Sequence, residues 1–237
     1  MSQAVKNIVP IKSTKNERIC VIIPAAGSSM KSAGPKCLLK IGSKTLFEHQ
    51  LDILRYNLPN FYTVLVTGFE SNYVMDNTPD CIKIENERFE QTNALRSITM
   101  GLRAAMCNRV LIMYGDVICS KETLDFDYSK SAVFLDKKIE GDTVGAFATN
   151  TPISQLMYGL DYKWGQIAYL TGKELELFKK FAYKKDAERY FTFELINKII
   201  DSNGSFVGVT NPKTKIHDID CNKDIKRAQE IVYENCL

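Results

Sequence analysis

The sequence predicts an α/β protein: a doubly wound, mostly parallel, Rossmann-like sheet with an elaborated C-terminal half. Three observations carry this expectation. Residues 19–25 (Ile-Cys-Val-Ile-Ile-Pro-Ala) and 110–114 (Val-Leu-Ile-Met-Tyr) are continuous apolar runs, the pattern of strands buried on both faces. Segments of helical periodicity alternate with the early strands, which implies parallel pairing through right-handed crossovers. Both apolar runs end in loops that combine glycine with charged side chains, at 24–36 and at Gly115-Asp116.

The elements follow in order. Thr45–Arg55 reads as a helix, with Leu46, His49, Ile53 and Leu54 on one face. Tyr62–Thr67 is β-branched and aromatic, and Cys81–Ile84 is a short apolar run, so both read as strands. Asn93–Ala105 reads as a helix that turns Leu95, Ile98, Leu102 and Ala105 inward. The pattern changes after about residue 128. Ser131–Asp136 and Thr143–Thr149 read as strands, antiparallel in style. Lys173–Lys180, Arg189–Ser202 and Lys223–Glu234 read as helices, the last with Ile225, Ala228, Ile231 and Val232 inward, and Phe206–Val209 as a short strand. The expected organisation is a flexible tail over 1–17 and a single domain over 18–237. That domain divides into an N-terminal half at about 18–128 and an elaborated C-terminal half at about 129–237.

Composition narrows the function classes. The 237 residues are 45% hydrophobic and 25% charged, and 31 basic against 28 acidic residues leave a net charge of +3. So small a surplus argues against a nucleic-acid partner. Lys6, Lys12, Lys15 and Arg18 concentrate positive charge in the tail, which reads as a solvated arm. Seven cysteines are scattered without a CxxC pair or a Cys/His cluster, which points to reduced thiols rather than a zinc site. No apolar run has the length of a membrane span or of a signal-peptide core. The expected setting is the cytoplasm, with no membrane partner and with oligomerisation left open.

The loop after the first strand, Pro24-Ala25-Ala26-Gly27-Ser28-Ser29-Met30-Lys31 with Pro35-Lys36 beyond it, suits phosphate. Small residues at Ala25, Ala26, Gly27, Ser28 and Ser29 allow close backbone approach. Gly27 is free to take positive φ, and successive N–H groups form an anion nest. Lys31 and Lys36 add two charges for a triphosphate. Neither a Walker loop nor a dinucleotide fingerprint fits the glycine spacing. The plainer reading is a surface turn with two lysines.

This segment resembles the signature of the sugar-phosphate and MobA-like nucleotidyltransferases, Ala-Ala-Gly-x-Gly/Ser-x-Arg followed by Pro-Lys. The resemblance implies that the loop wraps an NTP triphosphate. Lys36 matches directly, whereas Lys31 stands where the family carries Arg and gives up bidentate geometry. Asn86-Glu87-Arg88-Phe89 and Thr92-Asn93-Ala94-Leu95-Arg96-Ser97 are similar to a stretch of the phosphocholine-type cytidylyltransferases. By that resemblance Asn93 and Ser97 face the base and ribose, and Thr67-Gly68 lies beside the nucleotide. Asn93 also reads as a plain helix cap.

Asp116 directly follows a buried strand, at the carboxyl edge where open α/β sheets bind ligands, and it matches the family's metal aspartate. His217-Asp218-Ile219-Asp220-Cys221-Asn222-Lys223-Asp224 looks like the family's Ile-Asp-Thr-x-x-Asp-Leu motif, with Cys221 for Thr. There Asp220 matches a second metal ligand and Asp224 a helix-capping acid, while Asp218 is a further candidate. Two carboxylates suit Mg²⁺. On the acceptor side, Lys163 and Trp164 are candidates to cover a small phosphorylated substrate, with core packing the plainer reading for the indole. Glu194 is a further candidate. The reading is a phosphorus-group transferase that uses NTP (CTP favoured) and Mg²⁺, with Lys31, Lys36 and Asp116 catalytic. The alternative is a non-catalytic nucleotide-binding or regulatory protein on the same fold.

Overall fold

The computed structural model describes residues 18–28, 34–79, 81–137, 143–147 and 150–236. Along the chain run β1 (Ile19–Pro24), a short hairpin of β2 (Lys40–Ile41) and β3 (Lys44–Thr45), α1 (Leu46–Asn57), β4 (Phe61–Thr67), α2 (Ser71–Asp76), β5 (Ile82–Glu85), α3 (Ala94–Ala104), β6 (Arg109–Met113) and β7 (Val117–Cys119). There follow β8 (Ala132–Lys137), β9 (Val144–Ala146), β10 (Met157–Tyr158), β11 (Tyr162–Thr171), α4 (Gly172–Ala182), α5 (Thr192–Asp201), β12 (Val207–Val209), β13 (Ile216–Asp218) and α6 (Asp224–Asn235).

One sheet takes in both halves of the chain, in the order β10-β9-β11-β6-β1-β4-β5, with β8 on β11 and β12 on β8. Its centre is parallel: β1 pairs with β4 and β6, and β4 with β5. Beyond β6 the sheet turns mostly antiparallel, because β11 runs against β6, β8 and β9, while β12 pairs parallel with β8. The chain thus has a parallel α/β centre carrying a mostly antiparallel extension.

Burial on both faces explains the unbroken apolar run of β1. Ile19, Val21 and Ile23 face one hydrophobic cluster with α1 and α6, while Cys20 and Ile22 face the other with α3, α4 and α5. Period-two alternation sends neighbours to opposite layers, so both layers demand apolar residues. Packing against α3 is close: a Cβ on Gly101 would come within 2.5 Å of the Ile22 side chain. A capping box starts α1, with the Thr45 hydroxyl accepting from Glu48 N–H (3.2 Å) and the Glu48 carboxylate accepting from Thr45 N–H (2.7 Å).

Several elements were not expected from the sequence, the hairpin β2–β3 and the short β10 among them. The longest strand, β11, was hidden because Gly165 and Gln166 interrupt its pattern. The register shifts between Trp164 and Ala168, and Gln166 takes φ 57°, a bulge that re-aims the strand. The helix α2 has only six residues, too few for periodicity to reveal. The ribbon β13–β7 lies outside the main sheet and pairs Ile216 with Cys119 and Asp218 with Val117. Thr149 and the tail expected over 1–17 lie outside the described residues. Cys20, Cys37, Cys107, Cys119, Cys221 and Cys236 are thiols outside any disulfide. Among the described residues no helix is long and apolar enough to cross a membrane.

Candidate active site

The carboxyl ends of the parallel strands meet at one cleft. The loop after β1 sits centrally, because the ends of β4 and β6 press on it from either side. A Cβ on Gly68 would lie 2.7 Å from the Phe89 Cβ and 2.8 Å from the Ala26 Cβ. On Gly115 it would lie 2.7 Å from the Ala25 Cβ and 2.9 Å from the Ala25 Cα. Only glycine lets these three backbone turns approach so closely. Gly27 behaves otherwise than expected. It is absent from the positive-φ glycines among the described residues, and a Cβ there would meet nothing within 4 Å. What it offers is open space at the cleft, not an unusual φ.

A cavity of about 210 Å³ opens here, walled by Ala26, Gly27, Asn86, Phe89, Ser97 and Asp116 among others. Buried Asn86 organises its floor. Its amide donates to Ser97 Oγ (3.2 Å) and Thr92 Oγ1 (3.1 Å), and its carbonyl accepts from Arg88 N–H (3.2 Å). Asn93 borders the cavity and caps α3 by accepting from Leu95 N–H at 3.1 Å. Its amide is spent on the carbonyls of Tyr190 (2.6 Å) and Glu188 (3.4 Å). Thr67 is withdrawn from the cleft: it is fully buried, its hydroxyl 2.8 Å from that of Ser71. Ser28 is half-buried beyond Gly27. Ser29 and Lys31 lie outside the described residues.

The acidic side is assembled from distant segments. Gln50 of α1, fully buried, donates from Nε2 to the carbonyls of Tyr114 (2.8 Å) and Val117 (2.7 Å), clamping the turn that carries Asp116. The backbone carbonyl of Asp116 accepts from Ile219 N–H at 2.9 Å, which continues the β13–β7 ribbon and brings Asp220 alongside. The Asp224 carboxylate closes this loop by accepting from the N–H groups of Asp220 and Cys221, both at 2.8 Å. Burial opposes the Asp224 charge, but these two donors hold its carboxyl below the usual range.

Lys36 connects the two acids. A 3-10 turn over Lys36–Leu38 projects its ammonium between them, 3.0 Å from Asp116 Oδ2 and 2.9 Å from Asp220 Oδ1. Burial alone would lower the lysine pKa, but the attraction of the two carboxylates raises it. Burial pushes the Asp116 carboxyl up. Lys36 opposes this, and the charges of Asp220 and Asp218 add to it. Asp116 Oδ1 is buried without a hydrogen-bond partner. One cation position is therefore shared by two hard-oxygen donors, one of which has an unused buried oxygen. That donor set fits Mg²⁺, which takes one or two carboxylates and completes its shell with phosphate oxygens and water. Among the described residues no group of three or more His, Cys, Asp or Glu side chains could hold a metal by itself.

Asp218 is not part of this pair: its carboxylate accepts from the Lys163 ammonium. His217, its pKa lowered by burial, lies 3.6 Å from Asp224. Trp164 is 5% exposed, with its indole N–H donating to Ile167 O at 3.0 Å and its ring edge-on to Tyr114. Burial favours the packing reading of Trp164, because so little of the ring is left to cover a ligand. Glu194 caps the start of α5 by accepting from Phe191 N–H at 2.7 Å.

Several residues at the cleft were not singled out from the sequence. Asn86 stood within a resembling motif, a usable signal. Gln50 and Gln166 carried none, because their roles come from tertiary approach.

Residues 21–127 match the family model described as the MobA-like NTP transferase domain. No curated protein sequence matches the chain. Among solved structures, the CTP:phosphocholine cytidylyltransferase from Streptococcus pneumoniae superposes with TM-score 0.72 at 14% identity, over 91% of this chain and 99% of that one. The inositol-1-phosphate CTP transferase from T. maritima gives TM-score 0.74 at 16% identity, over 92% and 96%. A nucleoside-diphosphate-sugar pyrophosphorylase from Vibrio cholerae RC9 gives 0.64 at 15%, over 89% and 99%. Fold and family match together define the class: the chain is a nucleotidyltransferase enzyme. More particularly, the part that matches the MobA-like NTP transferase model, residues 21–127, takes in the parallel centre of the sheet, and the remaining strands extend that sheet.

Proposed function

We propose that this nucleotidyltransferase is magnesium-dependent and transfers CMP from CTP to a small phosphorylated acceptor, releasing pyrophosphate. The acceptor class is a sugar 1-phosphate, a phosphocholine-like ester or a phosphonate. The observation that carries the reading is the convergence of Asp116 and Asp220 on one cation beside the cavity at the strand ends.

An acceptor phosphate oxygen attacks the α-phosphorus of the NTP, and pyrophosphate leaves in one displacement without a protein nucleophile. Catalysis then consists of positioning and charge stabilisation. Ala25, Ala26, Gly27, Ser28 and Ser29 supply backbone approach to the triphosphate. Lys31 and Lys36 offset its charge. Asn93 holds the start of α3, and Ser97 with Asn86 borders the nucleoside. Asp116 and Asp220 would hold the metal, which when bound adds Lewis-acid stabilisation of the phosphates. On the acceptor side, Lys163 offsets the acceptor's phosphate charge and Asp218 aims Lys163. Residues 18–128 form the nucleotide half and 129–237 the acceptor half of one domain, at work in the cytoplasm. CTP is favoured by the likeness of residues 86–97 to the phosphocholine-type stretch, and two of the similar structures are described as CTP enzymes.

The test is pyrophosphate release with each of the four NTPs against sugar 1-phosphates, phosphocholine and phosphonates, with Mg²⁺ and with chelator. The expected outcome is release with CTP, one acceptor class and metal. A preference for another NTP, or turnover indifferent to chelation, refutes the corresponding part.

A further inference from the structure

We propose that the recess between α3 and the C-terminal end of α4 is a second anion site, separate from the nucleotide cleft, that takes the phosphate group of a small molecule. The helical repeat places Arg96, Thr99 and Arg103 along one side of α3, facing the turn that follows α4. Together with Lys184 and Lys185 from that turn, they wall a cavity of about 190 Å³. Four cations line it against one carboxylate, Glu188.

That carboxylate is already committed. It lies 3.3 Å from the Arg96 guanidinium and 3.6 Å from that of Arg88, outside the recess. Among the described residues no carboxylate forms an ion pair with Arg103, Lys184 or Lys185. Arg103 and Lys184 lie instead over the rings of Tyr183 (5.7 Å) and Phe181 (5.4 Å). Among the described residues the charges of Arg103, Lys184 and Lys185 are thus uncompensated by any ion pair, and only Arg96 is matched, by Glu188. Arg96 also keeps a buried Nε–H without an acceptor, an arrangement that costs stability until an acceptor meets it.

Cations gathered in a recess with low-dielectric walls focus the potential there, and guanidinium forks match phosphate oxygens. The cationic lining suits one phosphate group, free or as a phosphomonoester. The site also has a mechanical link to the cleft. The carbonyls of Glu188 and Tyr190, at the end of the same turn, hold the Asn93 amide that borders the nucleotide cavity. An anion that fixes this turn against α3 therefore fixes Asn93, and coupling between the two sites must be reciprocal.

The experiment is a titration of the full chain with inorganic phosphate at constant ionic strength, followed by backbone amide NMR. The amides of Thr99, Arg103, Lys184 and Lys185 should shift together and saturate. In the double variant Arg103→Gln/Lys184→Gln that saturation should weaken by about tenfold or more, while shifts at Gly27 and Asn86 in the cleft persist. Both replaced side chains are exposed, and the Arg103→Gln single variant serves if the double variant loses its dispersed spectrum. Shifts at the recess that grow linearly with phosphate, or saturation unchanged by the substitutions, overturn the proposal. A parallel titration with glycerol phosphate separates the sources: tighter saturation identifies a phosphomonoester as ligand, weaker saturation free phosphate.

Discussion

Replacing Asp116 by Asn separates catalysis from stability in one substitution. In the structure the Asp116 carboxylate meets Lys36 at 3.0 Å, and Lys36 keeps Asp220 at 2.9 Å. The variant therefore does not strand the lysine, but it removes one charge from the shared cation position. A charged contact is worth about 1.5–3 kcal/mol, or roughly ten- to hundredfold in rate. Loss of a proposed metal ligand adds to that, so turnover should fall by at least about a hundredfold. Stability should move the other way. Burial raises the folded-state pKa of Asp116, so the folded protein binds its proton more tightly than the unfolded chain does. The unfavourable contribution of this carboxyl is absent below its unfolded pKa. It grows as pH rises through the window up to the raised folded value, and persists above it. In metal-free buffer, Asp116→Asn should therefore show a thermal midpoint at pH 7 no lower than that of the parent, and the difference should shrink in acid. Pyrophosphate release and thermal unfolding at two pH values measure both halves. Near-parental turnover removes Asp116 from the mechanism. A variant destabilised at pH 7 but not in acid refutes the burial argument.

Other substitutions test other parts of the reading. Lys31→Ala should cost roughly ten- to hundredfold in activity if the lysine braces the triphosphate, whereas Lys31→Arg should retain or improve it; unchanged kinetics in the Ala variant place Lys31 on the solvated surface. Trp164→Ala should destabilise the fold by about 3–5 kcal/mol, because the indole is buried; a stable variant whose only defect is a raised acceptor KM would restore a ligand role. Lys163→Met should raise the acceptor KM well above any change in the NTP KM, and equal changes in both would assign the Lys163–Asp218 pair to structure alone.

Much of the architecture was legible in one dimension because the responsible forces are local or periodic. β1 and β6 announced themselves, since a strand buried on both faces must be apolar at every position. The amphipathic runs of α1 and α3 depend only on spacings of three and four residues. The strand-end positions of Gly115 and Asp116 likewise follow from where an apolar run stops. The loop at 24–28 and the strand-end place of Asp116 could be read from residue type and position, whereas the 218–224 motif stood out through its resemblance to the nucleotidyltransferase pattern.

What tertiary structure decided was which of those residues meet. Asp116 and Asp220 are separated by more than a hundred positions, and only the β13–β7 ribbon and the bond from Ile219 to Asp116 bring them to one lysine. No sequence period could assign Asp218 to Lys163 instead, send Trp164 into the core, or place Gln50 under the turn at 114–117. The same holds for β11, whose Gly165-Gln166 bulge erased the strand signal although the strand joins the parallel and antiparallel parts of the sheet. Residue type and spacing encode burial and local hydrogen bonding. The pairing of charges across the cleft depends on chain topology, which the sequence expresses only once the sheet has closed.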